Sequence, residues 1–158
     1  MNPTFRPGNP ADRAFFNRLS RECFPEADRF RSYQVRRFLE NPAGSILAEV
    51  LEHDGADCGF AVWITRKGES WVRLYALCVD AAHRGKGAAK TYLSEKLAEL
   101  SKRYDRALLE VRLDNENAIA LYESLGFRKD FIFRDYYRDQ APAHRMVLKF
   151  DRNQIMIR

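Results

Sequence analysis

The sequence has few cysteines and no cluster of metal-binding side chains. Its three cysteines, Cys23, Cys58 and Cys78, are far apart and form neither a Cys-x-x-Cys pair nor a Cys/His cluster. An odd number of widely spaced cysteines predicts neither a disulfide framework nor a zinc site. We therefore expect no bound metal, and we expect each thiol to behave as a small buried hydrophobic group.

Long hydrophobic runs are also lacking. Apolar runs such as residues 60–64 are much shorter than the ~20 residues that span a bilayer. Residues 1–6 do not contain the apolar stretch of a secretory signal peptide. These two absences predict a cytoplasmic protein without a membrane partner.

The basic charge does not form one continuous stripe. The net charge is +5, and the basic surplus lies in residues 1–37 and in the last fifteen residues, with a middle segment that is close to neutral. A nucleic-acid-binding protein usually concentrates its basic residues more strongly. The charge pattern argues against nucleic acid as the partner, and it fits solvated surface or the attraction of an anionic cofactor or an acidic substrate.

The length and the apolar content predict one domain. A chain of 158 residues that is 46% hydrophobic can bury a substantial core, and it is short for two domains. No internal repeat or interdomain linker is present. We therefore expect a single domain over residues 1–158.

Periodicity and turn residues predict an α/β fold with a mixed, mostly antiparallel sheet of about seven strands and about four helices. Asp12 is the expected N-cap of the first helix, and Asp54-Gly55 and Lys67-Gly68 are the expected hairpin turns. The predicted strands are residues 4–6, 45–51, 58–66, 71–79, 107–113, 128–135 and 145–150, and the predicted helices are residues 12–24, 32–40, 87–104 and 115–125.

A glycine-rich turn, Arg84-Gly85-Lys86-Gly87-Ala88-Ala89, connects a predicted strand to a predicted helix. A helix N-terminus offers unpaired N–H groups and the positive end of the helix dipole, and glycine allows a phosphate to come close to the backbone. Such a turn can also be purely structural. The expected phosphate-binding residues are Arg84, Gly85, Lys86, Gly87, Ala88, Ala89 and Lys90.

Two other glycine motifs fit this turn less well. The Gly-x-x-x-x-Gly-Lys-Ser/Thr run of a P-loop is absent. A dinucleotide-binding turn needs a third small residue where Lys90 stands, although Asp114 could serve as its acidic residue. Three antiparallel strands ahead of the turn also argue against a doubly wound sheet.

A second informative segment follows about 25 residues after the turn. Residues 115–127 read Asn-Glu-Asn-Ala-Ile-Ala-Leu-Tyr-Glu-Ser-Leu-Gly-Phe, a capped helix that ends in Gly-Phe. The two segments, in this order and at this distance, resemble the acyl-CoA-binding core of the GNAT family of N-acetyltransferases. The resemblance implies the GNAT fold, acetyl-CoA as the cosubstrate, and transfer of an acetyl group to a primary amine.

The resemblance also implies a role for each part of the cofactor site. In the family, the segment that corresponds to Arg84-x-x-Gly87-x-Ala89 holds the CoA pyrophosphate. The backbone of Leu77-Cys78-Val79 would pair with the pantetheine arm and polarise the acetyl carbonyl. Asn115 would contact the same arm, and Tyr122 would lie beside the thioester sulfur.

Acetyl transfer also needs groups that move protons. Strand alternation puts Glu110 on the same face as Arg112, so Glu110 is either a solvated partner of that arginine or a buried base. Tyr122 lies on a helical apolar stripe, which is typical of a core aromatic residue, and its hydroxyl can act as an acid only close to the sulfur.

Within the family, the sequence is most similar to the RimI type, which acetylates the N-terminal alanine of a ribosomal protein. The matching segments are residues 109–112, 115, 118–127, 134 and 136–137. The resemblance implies that Glu110 is the general base, that Tyr122 is the general acid, and that Tyr136 and Tyr137 line the acceptor site. It implies direct transfer in a ternary complex, by a monomer or a homodimer.

Three alternatives remain open. The acceptor could be a small-molecule amine, or the protein could be a non-catalytic module that binds acyl-CoA for regulation. Cys78 could also form a covalent acetyl-enzyme, but no histidine stands in an obvious activating relation to it in the sequence.

Overall fold

One mixed sheet of seven strands organises the computed structural model, which describes residues 3–151. The sheet has the order β1-β2-β3-β4-β5-β7-β6, and only the β4–β5 pair is parallel. The strands are β1 Thr4–Pro7, β2 Ile46–His53, β3 Ala56–Thr65, β4 Trp71–Val79, β5 Arg106–Arg112, β6 Arg128–Phe133 and β7 Ala143–Lys149. The helices are α1 Arg13–Cys23, α2 Ser32–Glu40, α3 Ala88–Leu100 and α4 Glu116–Ser124. The predicted fold class is confirmed.

The predicted domain also includes residues 1–2 and 152–158, which lie outside the described residues. Among residues 3–151, no helix is both long enough and apolar enough to span a bilayer.

Two hydrophobic cores cover the two faces of the sheet. Along β3, Phe60 and Val62 point into the core formed with α1 and α2, whereas Ala61 and Trp63 point into the core formed with α3. This division follows from the strand geometry, because successive side chains of a strand point to opposite faces. The sheet is therefore covered on both faces, and a ligand must enter at an edge or through a gap between strands.

Such a gap opens between β4 and β5. These strands pair only from Trp71 with Arg106 to Leu74 with Leu109. At the next position β4 carries a β-bulge, because Leu74 and Ala76 face consecutive residues of β3 and leave Tyr75 as an extra residue. A bulge bends its strand. Beyond Leu74, residues 75–79 of β4 leave β5, and we call the resulting space the central cleft.

Asp12 stands at the predicted N-cap position of α1, but its side chain does not cap the helix. The Asp12 carboxylate accepts hydrogen bonds from the Arg6 guanidinium at 3.0 and 2.9 Å and from the Asn9 N–H at 2.9 Å. Hydrogen bonding to Arg6 lowers the pKa of Asp12. The capping side chain is Asn9, which accepts from the Ala11 N–H and begins a short 3₁₀ turn ahead of α1.

Two predicted boundaries are also wrong. The helix α3 ends at Leu100 and not at Tyr104, because the chain turns back toward the sheet and the Asp105 N–H donates to the Ser70 carbonyl at 2.7 Å. The last strand begins at Ala143, two residues earlier than predicted, because Ala143 already pairs with both neighbouring strands.

A buried polar network fixes α3 on the sheet. Trp63 Nε1 donates to the Tyr92 hydroxyl at 2.7 Å, and this hydroxyl donates to Glu49 at 2.6 Å. Lys96 completes the network with an ion pair to Glu49 at 3.1 Å, and both charged side chains are at least 95% buried. Burying an ion pair adds little net stability, but removing one partner from such a network is costly.

We expect Tyr92→Phe to lower the free energy of unfolding by about 1–3 kcal/mol, because Trp63 and Glu49 each lose a buried hydrogen-bond partner. Urea denaturation followed by circular dichroism measures the loss. The matched control is Tyr33→Phe, which removes a hydroxyl from a side chain that is 66% exposed. Equal stability of the two variants would contradict this account of the network.

Candidate active site

The central cleft encloses about 1070 Å³ and collects most of the predicted site residues. The predicted residues that line it are Leu77, Cys78, Val79, Arg84, Gly85, Ala89, Glu110, Asn115, Tyr122, Tyr136 and Tyr137. Four predicted phosphate-binding residues, Lys86, Gly87, Ala88 and Lys90, do not line the cavity, and they lie at its rim around the start of α3.

The glycine-rich turn presents the open end of α3. Gly85 and Gly87 have φ values of 77° and 78°, which lie in the left-handed region. A Cβ at either position would meet nothing within 4 Å, so backbone conformation and not crowding requires glycine there. Gly87 is the N-cap of α3, and no side chain caps the helix. The first N–H groups of α3 are therefore available to an anion.

Arg84 turns from this loop toward β4. Its Nε donates to the Val79 carbonyl at 2.9 Å, so the guanidinium stands where β4 ends. Lys86 and Lys90 are exposed on either side of the helix start. The three cations surround the open helix N-terminus, and this end of the cleft therefore attracts negative charge.

The helix α4 forms the opposite wall. Asn115 is the N-cap of α4, because its side-chain oxygen accepts from the Ala118 N–H at 3.2 Å. Tyr122 packs edge-on against Phe127 with ring centroids 5.8 Å apart. Burial raises the pKa of Tyr122 to about 12. Within residues 3–151 the Tyr122 hydroxyl forms no hydrogen bond, so it is free to donate to a ligand in the cleft.

Glu110 is a buried carboxylate between two arginines. Its side chain is 3% exposed and forms ion pairs with Arg73 at 2.5 Å and with Arg145 at 3.5 Å. The Tyr136 hydroxyl donates to the same carboxylate at 3.1 Å. Among the described residues, Oε2 of Glu110 has no hydrogen-bond donor although it is buried. The carboxylate can therefore accept one more hydrogen bond from a ligand.

The interpretation of Glu110 as a solvated partner of Arg112 is wrong. Arg112 binds Asp28 at 2.6 and 2.7 Å and Asp139 at 3.0 and 3.1 Å. Sequence reasoning missed both arginines that do pair with Glu110. Arg145 lies directly opposite Glu110 in the β5–β7 register, so the cross-strand pairing would have identified it.

Arg112 joins two segments at the end of the cleft where Glu110 lies. Asp28 belongs to the connection between α1 and α2, and Asp139 belongs to the connection between β6 and β7. The Arg112 guanidinium also lies 4.3 Å from the ring centroid of Tyr137. The two connections and Tyr137 are therefore held in one arrangement beside Glu110. Tyr136, whose pKa burial and the charge of Glu110 raise to about 12, completes this wall.

A family model with the description "Acetyltransferase (GNAT) family" matches residues 13–127. The chain belongs to the GNAT acetyltransferase family. This assignment confirms the predicted family and the predicted enzyme class, N-acetyltransferase.

Individual relatives agree with the family. The chain is 37% identical over 106 residues to the [ribosomal protein bS18]-alanine N-acetyltransferase of Escherichia coli K12, covering 66% of this chain and 70% of that protein. It is 35% identical over 86 residues to an N-alpha-acetyltransferase of Saccharolobus solfataricus, covering 53% and 49%. The crystal structure of the ribosomal-protein-S18-alanine N-acetyltransferase from Escherichia coli superposes with a TM-score of 0.79 at 28% identity, covering 94% of each chain. The predicted similarity to this type within the GNAT family is confirmed.

Gly87 allows a direct test of the open helix end. We expect Gly87→Ala to weaken CoA binding roughly tenfold, because the new Cβ meets the approaching phosphate and strains the turn. Isothermal titration calorimetry with CoA measures the change.

The matched control is Gly68→Ala in the β3–β4 hairpin. Gly68 has a φ of 84° and the same open surroundings, so both variants carry similar backbone strain. CoA affinity that falls equally in both variants would show that the loss comes from strain alone.

Proposed function

We propose that this enzyme transfers the acetyl group of acetyl-CoA directly to the α-amine at the N-terminus of a protein or peptide. The observation that supports this most strongly is the common location of three groups in one cleft. The open end of α3, the free hydroxyl of Tyr122 and the buried carboxylate of Glu110 all face it. The two relatives named above are themselves an alanine N-acetyltransferase and an N-alpha-acetyltransferase.

The cofactor is proposed to lie along β4 with its pyrophosphate at the start of α3. Residues 75–79 of β4 have left β5, so the backbone edge that faces the cleft has no strand partner there. Buried backbone groups need partners, and the amides of pantetheine can supply them. The Val79 carbonyl already accepts from Arg84, so the pantetheine contacts are assigned to the other polar groups of residues 77–79.

Tyr122 is proposed to stabilise the departing CoA thiolate. The pKa of Tyr122 is about 12 and that of an ordinary thiol is about 8.5, so complete proton transfer costs roughly 5 kcal/mol. A hydrogen bond from the phenol to the developing thiolate has no such cost. Tyr122 therefore acts as the acid mainly by donating a strong hydrogen bond, and the thiolate takes its final proton after it leaves.

Glu110 is proposed to accept the proton that the amine loses. Arg73 and Arg145 already neutralise its charge, so the carboxylate offers little attraction to a fully protonated amine. An α-amine, with a pKa near 8, arrives partly as the free base at neutral pH. A lysine side chain, with a pKa near 10.4, arrives almost entirely protonated. The charge balance at Glu110 therefore favours an α-amine as the acceptor.

The acceptor is proposed to enter between the two segments that Arg112 joins. Tyr136 and Tyr137 stand there beside Glu110, and their rings contact each other at a centroid distance of 5.0 Å. A peptide N-terminus is narrow enough to reach the carboxylate alongside this pair of aromatic side chains. The cytoplasmic location and the oligomeric state, monomer or homodimer, stay predictions.

Tyr122→Phe is expected to lower kcat about a hundredfold and to leave the Kd for acetyl-CoA nearly unchanged, because only the hydroxyl that faces the sulfur is lost. Steady-state kinetics and calorimetry measure the two quantities separately. Tyr104→Phe, on the loop after α3, is the control. An unchanged kcat in Tyr122→Phe would remove Tyr122 from the mechanism.

Glu110→Gln is expected to lower kcat/KM most at low pH. As pH falls, more of the amine is protonated, so the reaction depends more on a group that removes the proton. The ratio of wild-type to variant kcat/KM should therefore rise as pH decreases from about 9 to about 7, one unit to either side of the amine pKa.

The exposed Glu123 on α4 supplies the control variant Glu123→Gln, for which the ratio should stay constant. A melting curve of Glu110→Gln shows whether the unpaired arginines unfold the protein. A ratio independent of pH in the folded variant would contradict the role of Glu110 as the base.

The proposed acceptor is tested by mass spectrometry of matched peptides after incubation with acetyl-CoA. One peptide has a free N-terminus and no lysine, and the other has a blocked N-terminus and an internal lysine. Acetylation of the first alone is expected. Acetylation of the lysine alone would contradict the α-amine assignment. Confirmed acetyl-CoA binding without modification of either peptide would favour a small amine or a non-catalytic acyl-CoA-binding role.

A further inference from the structure

Two cysteines that are distant in sequence meet in the wall of the central cleft. Cys23 ends α1 and Cys78 lies near the end of β4, and both side chains pack in the core cluster between the sheet and the helices α1 and α2, close enough for the Cys78 thiol to donate to the Cys23 sulfur. The Cys23 thiol donates a long hydrogen bond to the Val79 carbonyl at 3.6 Å. Both residues line the cleft. The expectation that every cysteine is a buried hydrophobic group is wrong for Cys23, which is half-buried and reachable from the cleft.

The surroundings of the two thiols differ in a way that gives them different chemistry. The hydrogen bond from Cys78, followed by the nearby Arg84 guanidinium, lowers the pKa of Cys23 to about 6, against the opposing effects of burial and of Glu22. Burial raises the pKa of Cys78. The Cys23 thiol therefore loses its proton more readily than the Cys78 thiol does. This is the arrangement of an oxidisable cysteine with a resolving partner.

Neither thiol has a part in the acetyl transfer described above, which needs Tyr122 and Glu110. Among residues 3–151, no group of three or more His, Cys, Asp or Glu side chains is arranged to hold a metal ion. The third cysteine, Cys58, is fully buried and burial raises its pKa to about 11, so it provides an internal comparison.

We propose that Cys23 and Cys78 form a hydroperoxide-sensitive dithiol that closes reversibly to a disulfide within the acetyl-CoA cleft. In the first step the Cys23 thiolate attacks a peroxide oxygen, the O–O bond breaks, and the second oxygen leaves as hydroxide or alkoxide. Cys23 is then a sulfenic acid. In the second step the Cys78 sulfur attacks the Cys23 sulfur, the S–O bond breaks, and water leaves with the proton of Cys78. The two thiols lose two electrons, and the peroxide is reduced.

The disulfide would change the edge of the cleft to which the cofactor is assigned. Cys78 lies between Leu77 and Val79, whose backbone the proposed function pairs with pantetheine, and Arg84 contacts the same carbonyl as Cys23. Oxidation is therefore expected to weaken acetyl-CoA binding, and bound acetyl-CoA is expected to shield Cys23. This consequence rests on the proposed function, whereas formation of the disulfide does not.

The test begins with the reduced protein and hydrogen peroxide, followed by intact-mass analysis and peptide mapping. The expected product lacks two hydrogen atoms, contains a crosslink between the Cys23 and Cys78 peptides, and returns to the starting mass with dithiothreitol. Cys58→Ala should behave as the wild type, and Cys23→Ser should not react. In Cys78→Ala, oxidation should stop at a sulfenic acid on Cys23 that dimedone labels.

Three results would overturn the dithiol proposal. They are irreversible oxidation of Cys23 without the crosslink, equal oxidation of Cys58, and no reaction at a peroxide concentration that oxidises free cysteine. A second experiment repeats the oxidation with excess acetyl-CoA, which has no free thiol. Slower disulfide formation supports the shielding. Disulfide formation at an unchanged rate overturns the placement of acetyl-CoA, while the dithiol itself is confirmed.

Discussion

The short pairing of β4 with β5 is the constraint on which the rest of the site depends. The two strands share only four residue pairs, and then β4 bends away at the Tyr75 bulge. A sheet with both faces covered has no other entrance near its middle. The separation exposes the backbone edge of β4 to a ligand, brings the open N-terminus of α3 to one end of the cleft, and leaves Glu110 on β5 facing the other end. The cleft thus has a cationic end, to which we assign the phosphate-bearing cofactor, and a charge-balanced end, to which we assign the amine.

Buried polar groups hold this geometry in place. The network of Glu49, Tyr92 and Lys96 fixes α3 on the sheet and therefore fixes the direction in which its free N–H groups point. At the other end of the cleft, Arg112 binds Asp28 and Asp139, one carboxylate from each of two connections, and so holds the two connections in place. Neither network needs to add much stability to be useful, because buried and bidentate pairs specify arrangement more than they lower free energy. A site built in this way presents its donors before a ligand arrives, which reduces the cost of ordering them.

The sequence was sufficient to predict the layers of the fold, and it indicated the glycine-rich turn that the structure places at one end of the cleft. Alternating strands, glycine turns and a helix start are local patterns, and the turn at Gly85 and Gly87 combines them within a few residues. The surroundings of Glu110 were not predictable, because Arg73 and Arg145 reach it from two other strands whose pairing no local pattern specifies. The pairing of the Asp12 carboxylate was not predictable for the same reason, since its partner Arg6 lies on the preceding strand. The contact between Cys23 and Cys78 likewise depends on how α1 packs on β4.

The central claim is that cofactor and amine occupy the two ends of one cleft together, so that the acetyl group passes directly between them. Initial velocities measured over a grid of acetyl-CoA and acceptor-peptide concentrations test it most directly. The account predicts double-reciprocal lines that intersect, as a ternary complex requires. Parallel lines, accompanied by an acetylated enzyme when acetyl-CoA is supplied alone, would contradict it and would assign the acetyl group to a covalent intermediate on a cleft cysteine.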